Sequence, residues 1–150
     1  MPVSDLRSHI GFWLRFVSNH VSHSFAAKLA ATGVTVAEWV ILRDIYGTGG
    51  PTSPGEVAER TGLTRGAVSK LADRLFHKKL LTRAASNKDR RYQEVRLTPA
   101  ARALVPKLAA LADRNDAEYF SPLTRDERRG LLRLLQKLVR AHNLTRVPID

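Results

Sequence analysis

Two helix-start signals in quick succession, with a glycine between them, restrict the middle of this chain to one local geometry. Ser53-Pro54-Gly55-Glu56 has the Ser/Thr-x-x-Glu form of a capping box with proline at the first helical position. Gly62 supplies the positive φ that ends a helix, and Thr64 caps the next one. The first helix therefore runs only to about Thr61 before a second begins. Val57, Leu63, Val68, Leu71 and Leu75 fall on the side that such a pair buries, and Ala58 is small where the two helices cross. This is the spacing of a helix-turn-helix. The outward face of its second helix carries Thr64, Arg65, Gly66, Ser69, Lys70, Asp73 and Arg74, a small and basic surface suited to base edges and phosphates in a major groove. Any tight helical hairpin wants the apolar positions, but core packing does not account for the basic face.

The flanking segments extend the pattern. Ser4 is placed to cap a long first helix in which Leu6, Ile10, Leu14, Val17, Val21, Phe25 and Leu29 recur at helical spacing, with Gly33 as its stop. Thr35-Val36-Ala37-Glu38 is a capping box for a helix through about Tyr46, with Trp39, Leu42 and Ile45 inward, broken by Gly47 to Pro51. Leu80 to Ala84 and Tyr92 to Leu97 read as two strands joined by a polar, basic turn, and any earlier strand near Thr52 is too weak to assign. Thr98-Pro99 starts a helix that runs toward Tyr119, and Thr124 to Glu127 caps a last one with Leu131, Leu134, Leu135, Leu138 and His142 on one side, widened by Leu132 and Val139. The expected fold is mainly α with a small β-hairpin wing, in the order α-α-α-α-β-β-α-α. It forms a single domain over residues 1–150, with a helix-turn-helix and hairpin lobe at about 35–98 and a helical lobe at about 4–32 and 99–145.

Charge narrows the function. The chain has 150 residues with a formal net charge of +11, and residues 53 to 98 hold eleven basic against five acidic side chains, so more than half of the excess lies in the helix-turn-helix and hairpin. Nucleic acid is the first polyanion to consider and an anionic membrane the second. No apolar run is long enough for a membrane span, and Met1 to Asp5 lacks the character of a signal peptide, so a cytoplasmic location without membrane association is expected. Cysteine is absent, which excludes thiol switches and Cys-ligated zinc. His20 and His23 form the only histidine pair close enough to share a helix face, too few ligands for a metal site, and no cofactor is expected. No phosphate loop, zinc motif or nucleophile elbow is present, and the chain is not read as an enzyme.

Ala67-Val68-Ser69-Lys70, Leu75, Leu80-Leu81, Asp89-Arg90-Arg91 and Leu97-Thr98-Pro99-Ala100-Ala101 together closely resemble the signature of MarR-type winged-helix regulators. The chain departs from that signature at Phe76 and Lys79, where the family usually has an acidic residue and a glycine. It departs again at Ser86 to Lys88, where many relatives have Asp-x-Arg. The resemblance implies a homodimer built from the first and last two helices, a pseudopalindromic double-stranded DNA operator, and a wing in which Lys88, Arg90 or Arg91 meets the minor groove while Asp89 orients an arginine. It also implies a cleft for a small aromatic or phenolic anion that releases DNA, for which Trp13, Phe16, His20 and Trp39 are the candidate lining residues, although for any one of them packing between the first two helices is the simpler explanation. The expected function is thus a sequence-specific regulator, in the first place a repressor. The alternative is a winged helix used for architecture or protein docking without sequence readout, which a comparison of specific with random duplex separates.

Overall fold

In the computed structural model, which describes residues 1–85 and 93–144, the elements follow in the order α1 (Ile10–Leu29), α2 (Val36–Thr48), α3 (Pro54–Thr61), α4 (Arg65–His77), β1 (Leu81–Ala85), β2 (Gln93–Leu97), α5 (Pro99–Tyr119) and α6 (Arg125–Ala141). The strands form one antiparallel pair in the register Leu81↔Leu97 to Ala85↔Gln93. Thr52 adds a single bridge to Val95, with reciprocal N–H···O bonds of 3.1 and 2.7 Å, so the stretch left unassigned in the sequence does pair with the hairpin.

Local chemistry accounts for most boundaries. Thr35, Thr64, Thr98 and Thr124 each accept the backbone N–H three residues on, and the Thr35–Glu38 and Thr124–Glu127 boxes are reciprocal. Two of the expected caps are different. Ser4 does not start α1: Asp5 caps a 3-10 turn over Leu6–Ser8, and α1 begins only at Ile10. Ser53 accepts the Glu56 N–H at 3.2 Å, but the Glu56 carboxylate accepts from Thr52 and lies near Arg60 instead of returning to the cap, so that box is half formed. Helix α2 continues through Gly47 and Thr48 and ends at Gly49 with φ +69°.

A continuous core joins Phe25 and Leu29 of α1, Ile41, Leu42 and Ile45 of α2, Val57 and Ala58 of α3, and Val68, Leu71, Ala72 and Leu75 of α4. Val95 and Leu97 of β2, with Ala101, Val105 and Leu108 of α5, close it. Leu63 and Trp39 are partly buried at its edge. Helices α1 and α5 are fastened by a buried Asn115, whose Oδ1 accepts from Ser24 Oγ at 2.7 Å and Lys28 Nζ at 3.0 Å, while its Nδ2 donates to the Val21 carbonyl at 3.4 Å. Helix α6 contributes no buried residue at all. Its Leu132, Leu134, Leu135, Leu138 and Val139 are 39–57% exposed, and Ile10, Trp13, Leu14, Phe16 and Val17 of α1 are equally bare. Among the described residues no single helix is long and apolar enough to cross a membrane.

The exit of α4 shows how the missing glycine is handled. Lys79 itself adopts the left-handed conformation, φ +60°, and the Leu80 N–H returns to the Leu75 carbonyl at 2.9 Å, the bond pattern of a Schellman turn. A non-glycine residue in that conformation costs about 1 kcal/mol or more, against a smaller unfolded-state entropy cost for glycine. Lys79→Gly is therefore expected to stabilise the protein by roughly 0.5 kcal/mol, read as a raised midpoint in thermal or urea unfolding; a lowered midpoint would contradict this account of the turn.

Candidate nucleic-acid interface

Helix α3 is short because Pro54 and Gly62 bound it, the latter at φ +78°, and α4 starts three residues later. Val57, Val68 and Leu75 are essentially fully buried, so the crossing of the two helices is held from inside. From the solvent side α3 is tied to α2 by Arg60, whose Nε and Nη2 reach the two Asp44 oxygens at 3.1 and 2.9 Å. Arg60 Nη2 also donates to Thr52 Oγ1 at 2.9 Å, linking the helix pair to the residue that bridges the hairpin. Hydrogen bonding to Asp44 raises the Arg60 pKa further, so this guanidinium stays charged and committed.

With α4 anchored in this way, Arg65, Gly66, Ser69, Lys70, Asp73 and Arg74 are exposed on one side and Thr64 is half-buried at the cap. The structure thus brings together the helix residues of the sequence reading on one face. Asp73 is engaged there: its carboxylate pairs with Arg83 of β1, whose guanidinium lies 4.2 Å from the centroid of Phe76. Phe76, unusual for its position, is the platform for that arginine. The Arg65 guanidinium lies close beside Gly55 in the first turn of α3. Lys88, Asp89, Arg90 and Arg91 lie outside the described residues.

Ion pairing leaves the net charge unchanged but engages three of the basic side chains. Arg60, Lys78 and Arg83 pair with Asp44, Glu38 and Asp73. Glu38, read from the sequence as a cap, is wholly buried, its Oε1 accepting the Thr35 N–H at 3.0 Å and Lys78 Nζ at 2.9 Å. Burial pushes this carboxyl up, but the hydrogen bonds from Lys78 and Thr35 outweigh it and leave the group below the ordinary carboxylate value. No short-range signal distinguishes such a cap from the exposed one at Glu127.

The four aromatic candidates separate into two places. Phe16 stacks at 4.8 Å on His20 and lies 6.4 Å from Trp13, forming an exposed ladder along α1 that the half-buried Phe12 adjoins. Trp39 instead packs edge-on against Phe25, 6.2 Å between centroids, at the core. One cavity of about 370 Å³ is lined by Trp13 with Leu14, Val17, Tyr119, Phe120 and Leu131. Another of about 510 Å³ has Val21, Asp116, Phe120, Arg128 and Leu135 in its wall. Both open onto the bare stripe of α6, and neither includes Phe16, His20 or Trp39.

A helix-turn-helix running directly into an antiparallel hairpin, with a helix before and two after, defines a winged helix-turn-helix protein. Residues 32–91 match the model of the MarR family. A probable transcriptional regulator from Pseudomonas aeruginosa is 28% identical, with 89% of this chain and 99% of that one covered at a TM-score of 0.82. Bordetella bronchiseptica BpsR, whose DNA binding is regulated by 6-hydroxynicotinic acid, is 27% identical over 91% of this chain and 97% of its own at a TM-score of 0.84. A MarR mutant from E. coli, solved in complex with operator DNA, is 25% identical over 91% and 99% at a TM-score of 0.82. Over residues 32–91 and in its fold, this chain is thus similar to MarR-family proteins, DNA-binding transcription regulators that often respond to ligands.

Gly66 provides a test of the face. A Cβ there would meet nothing within 4 Å, so Gly66→Ala is expected to stabilise the isolated protein by roughly 0.5 kcal/mol through helix propensity. If this face enters a major groove, as the sequence leads one to expect, duplex binding should nevertheless weaken, because the added methyl group would stand between helix and groove. Titration of duplex by the variant with unchanged or improved affinity would remove Gly66 from the interface.

Proposed function

We propose that the protein is a homodimeric repressor that reads a pseudopalindromic operator with α4, straddles the neighbouring minor groove with its hairpin, and is released by a small aromatic anion. The observation that carries the reading is the bare face of α4: a helix fully packed on one side exposes Arg65, Gly66, Ser69, Lys70 and Arg74 together on the other. Residues 35–98 are taken as the DNA-binding lobe and residues 4–32 with 99–145 as the dimerisation lobe. Thr64 and the exposed α4 residues then read bases and adjoining phosphates, while Lys88, Asp89, Arg90 and Arg91 form the wing. Twofold symmetry sets the two recognition helices about 34 to 36 Å apart.

The apolar stripes of α1 and α6 support the dimer, since each large aliphatic side chain removed from water contributes about 1.5 to 3 kcal/mol. Sedimentation at micromolar concentration without DNA is expected to show twice the 16.7 kDa chain mass, and a compact folded monomer would overturn this part of the reading. The ligand class is supported by the aromatic ladder of Trp13, Phe16 and His20 and by the regulation of BpsR by an aromatic acid. Trp39 would contribute from the core side.

Base edges and phosphates respond differently to substitution, which gives the decisive experiment. Ser69→Ala and Arg65→Ala should each cost roughly 1 to 3 kcal/mol on the cognate duplex while affecting random duplex less. Arg90→Ala and Arg91→Ala should weaken both duplexes together and lower the salt slope by about one unit per lost phosphate contact. Equal affinity of the wild type for operator and random duplex at moderate salt would favour a docking or architectural role and end the repressor reading.

A further inference from the structure

Glu38 is 0% exposed, which the cap alone does not require. The matching box at Thr124 and Glu127 works in open solvent, with a carboxylate that accepts the Thr124 N–H at 2.9 Å. What distinguishes Glu38 is its second partner. Lys78 Nζ lies 2.9 Å from Oε1 and 2.8 Å from Oε2 and donates to the Gly33 carbonyl at 2.6 Å. Lys78 is the C-cap of the recognition helix, Gly33 ends the turn that follows α1, and Glu38 sits in the first turn of α2. One ammonium therefore fastens the end of α4 to the corner where α1 passes into α2. Although the Lys78 side chain is 40% exposed, its charged tip is turned inward. Well-packed apolar residues hold helices together at least as firmly as a buried ion pair, whereas a charge without its partner in such a site is strongly unfavourable.

We propose that the Glu38–Lys78 pair is a positioning device for the recognition helix: it sets the angle of α4 from the α1–α2 corner, so that any movement of the helical lobe is passed to the DNA-facing side chains. This rests on the DNA-binding reading above and deepens it. Lys78 and Glu38 act through α4 and touch neither bases nor phosphates.

The decisive variant is Glu38→Gln, which keeps an oxygen for the Thr35 N–H and leaves the Lys78 charge in place. Wild type and variant are compared for cognate and random duplex affinity across salt and for amide hydrogen exchange along α4. The expected result is a folded protein whose cognate affinity falls roughly tenfold, with random-duplex affinity and salt slope unchanged and faster exchange in the last turns of α4. Lys78→Arg, which keeps a donor for Glu38 and Gly33, should restrict the loss to within about threefold. Two results would overturn the proposal. One is a folded Glu38→Gln protein with an unaltered cognate-to-random ratio and unaltered exchange. The other is a rise in affinity for both duplexes, which would make Lys78 a phosphate contact restrained by Glu38. If Glu38→Gln does not fold, the double variant Glu38→Met with Lys78→Leu leaves no buried charge unpaired, and it should fold yet lose the cognate preference; retention of that preference refutes the tether. A wild type without cognate preference refutes the DNA-binding reading instead, and the exchange of α4 then decides the tether by itself.

Discussion

The burial of one stripe of α4 is the constraint on which the helix-turn-helix depends. Val68, Leu71, Ala72 and Leu75 enter the common core, and the helix is thereby rotated so that Arg65, Ser69, Lys70 and Arg74 face outward. Burial of Val68 and Leu75 contributes about 1.5 to 3 kcal/mol each, whereas an exposed ion pair of the Arg83–Asp73 kind contributes about 0 to 1 kcal/mol. Packing therefore holds the helix. The polar contacts at its ends, Thr64 at the start and Lys78 at the finish, mark where it begins and where it stops.

The same reasoning separates the two halves of the molecule. The elements from α2 to β2 share one core with the inner faces of α1 and α5, Val95 and Leu97 closing it beneath the hairpin. The other side of the molecule is left unfinished: Asn115 aligns α1 with α5 through three hydrogen bonds, yet the outer stripe of α1 and the leucine stripe of α6 remain open to water. A helix with an exposed leucine stripe is incompletely buried by its own chain, and the apolar cavities against α6 lie along that unfinished surface. The proposed division into a reading lobe and an associating lobe rests on this difference in burial.

The helix-turn-helix and four of the helix starts were legible because their causes are local: a threonine, a proline or a glycine acts on its own turn, within three or four residues. The hairpin was legible from its alternation to within one residue at each outer boundary. Local chemistry misled where two caps competed, as at Ser4 and Asp5, and where a distant partner took the side chain, as when Glu56 left its box for Thr52 and the vicinity of Arg60. Lys79 shows the opposite limit. Its position demanded a left-handed residue whatever its identity, because the chain must turn sharply from α4 into β1, and the lysine adopts φ +60°.

By itself the sequence determined the order of elements, the face of α4 that lies away from the core, and the absence of thiol chemistry, since each depends on residue type and short spacing. Which charges remain available was decided only in three dimensions. Arg60, Lys78 and Arg83 count equally toward a net charge of +11, yet each meets a carboxylate 10 to 40 residues away in the chain. The tertiary structure also decided that Glu38 is sealed from water while Glu127, with the same cap sequence, is not. Capping is a property of a few consecutive residues, but burial and ion pairing depend on which distant segments pack together, and that packing alone brought the Glu38 cap into contact with Lys78 at the end of α4.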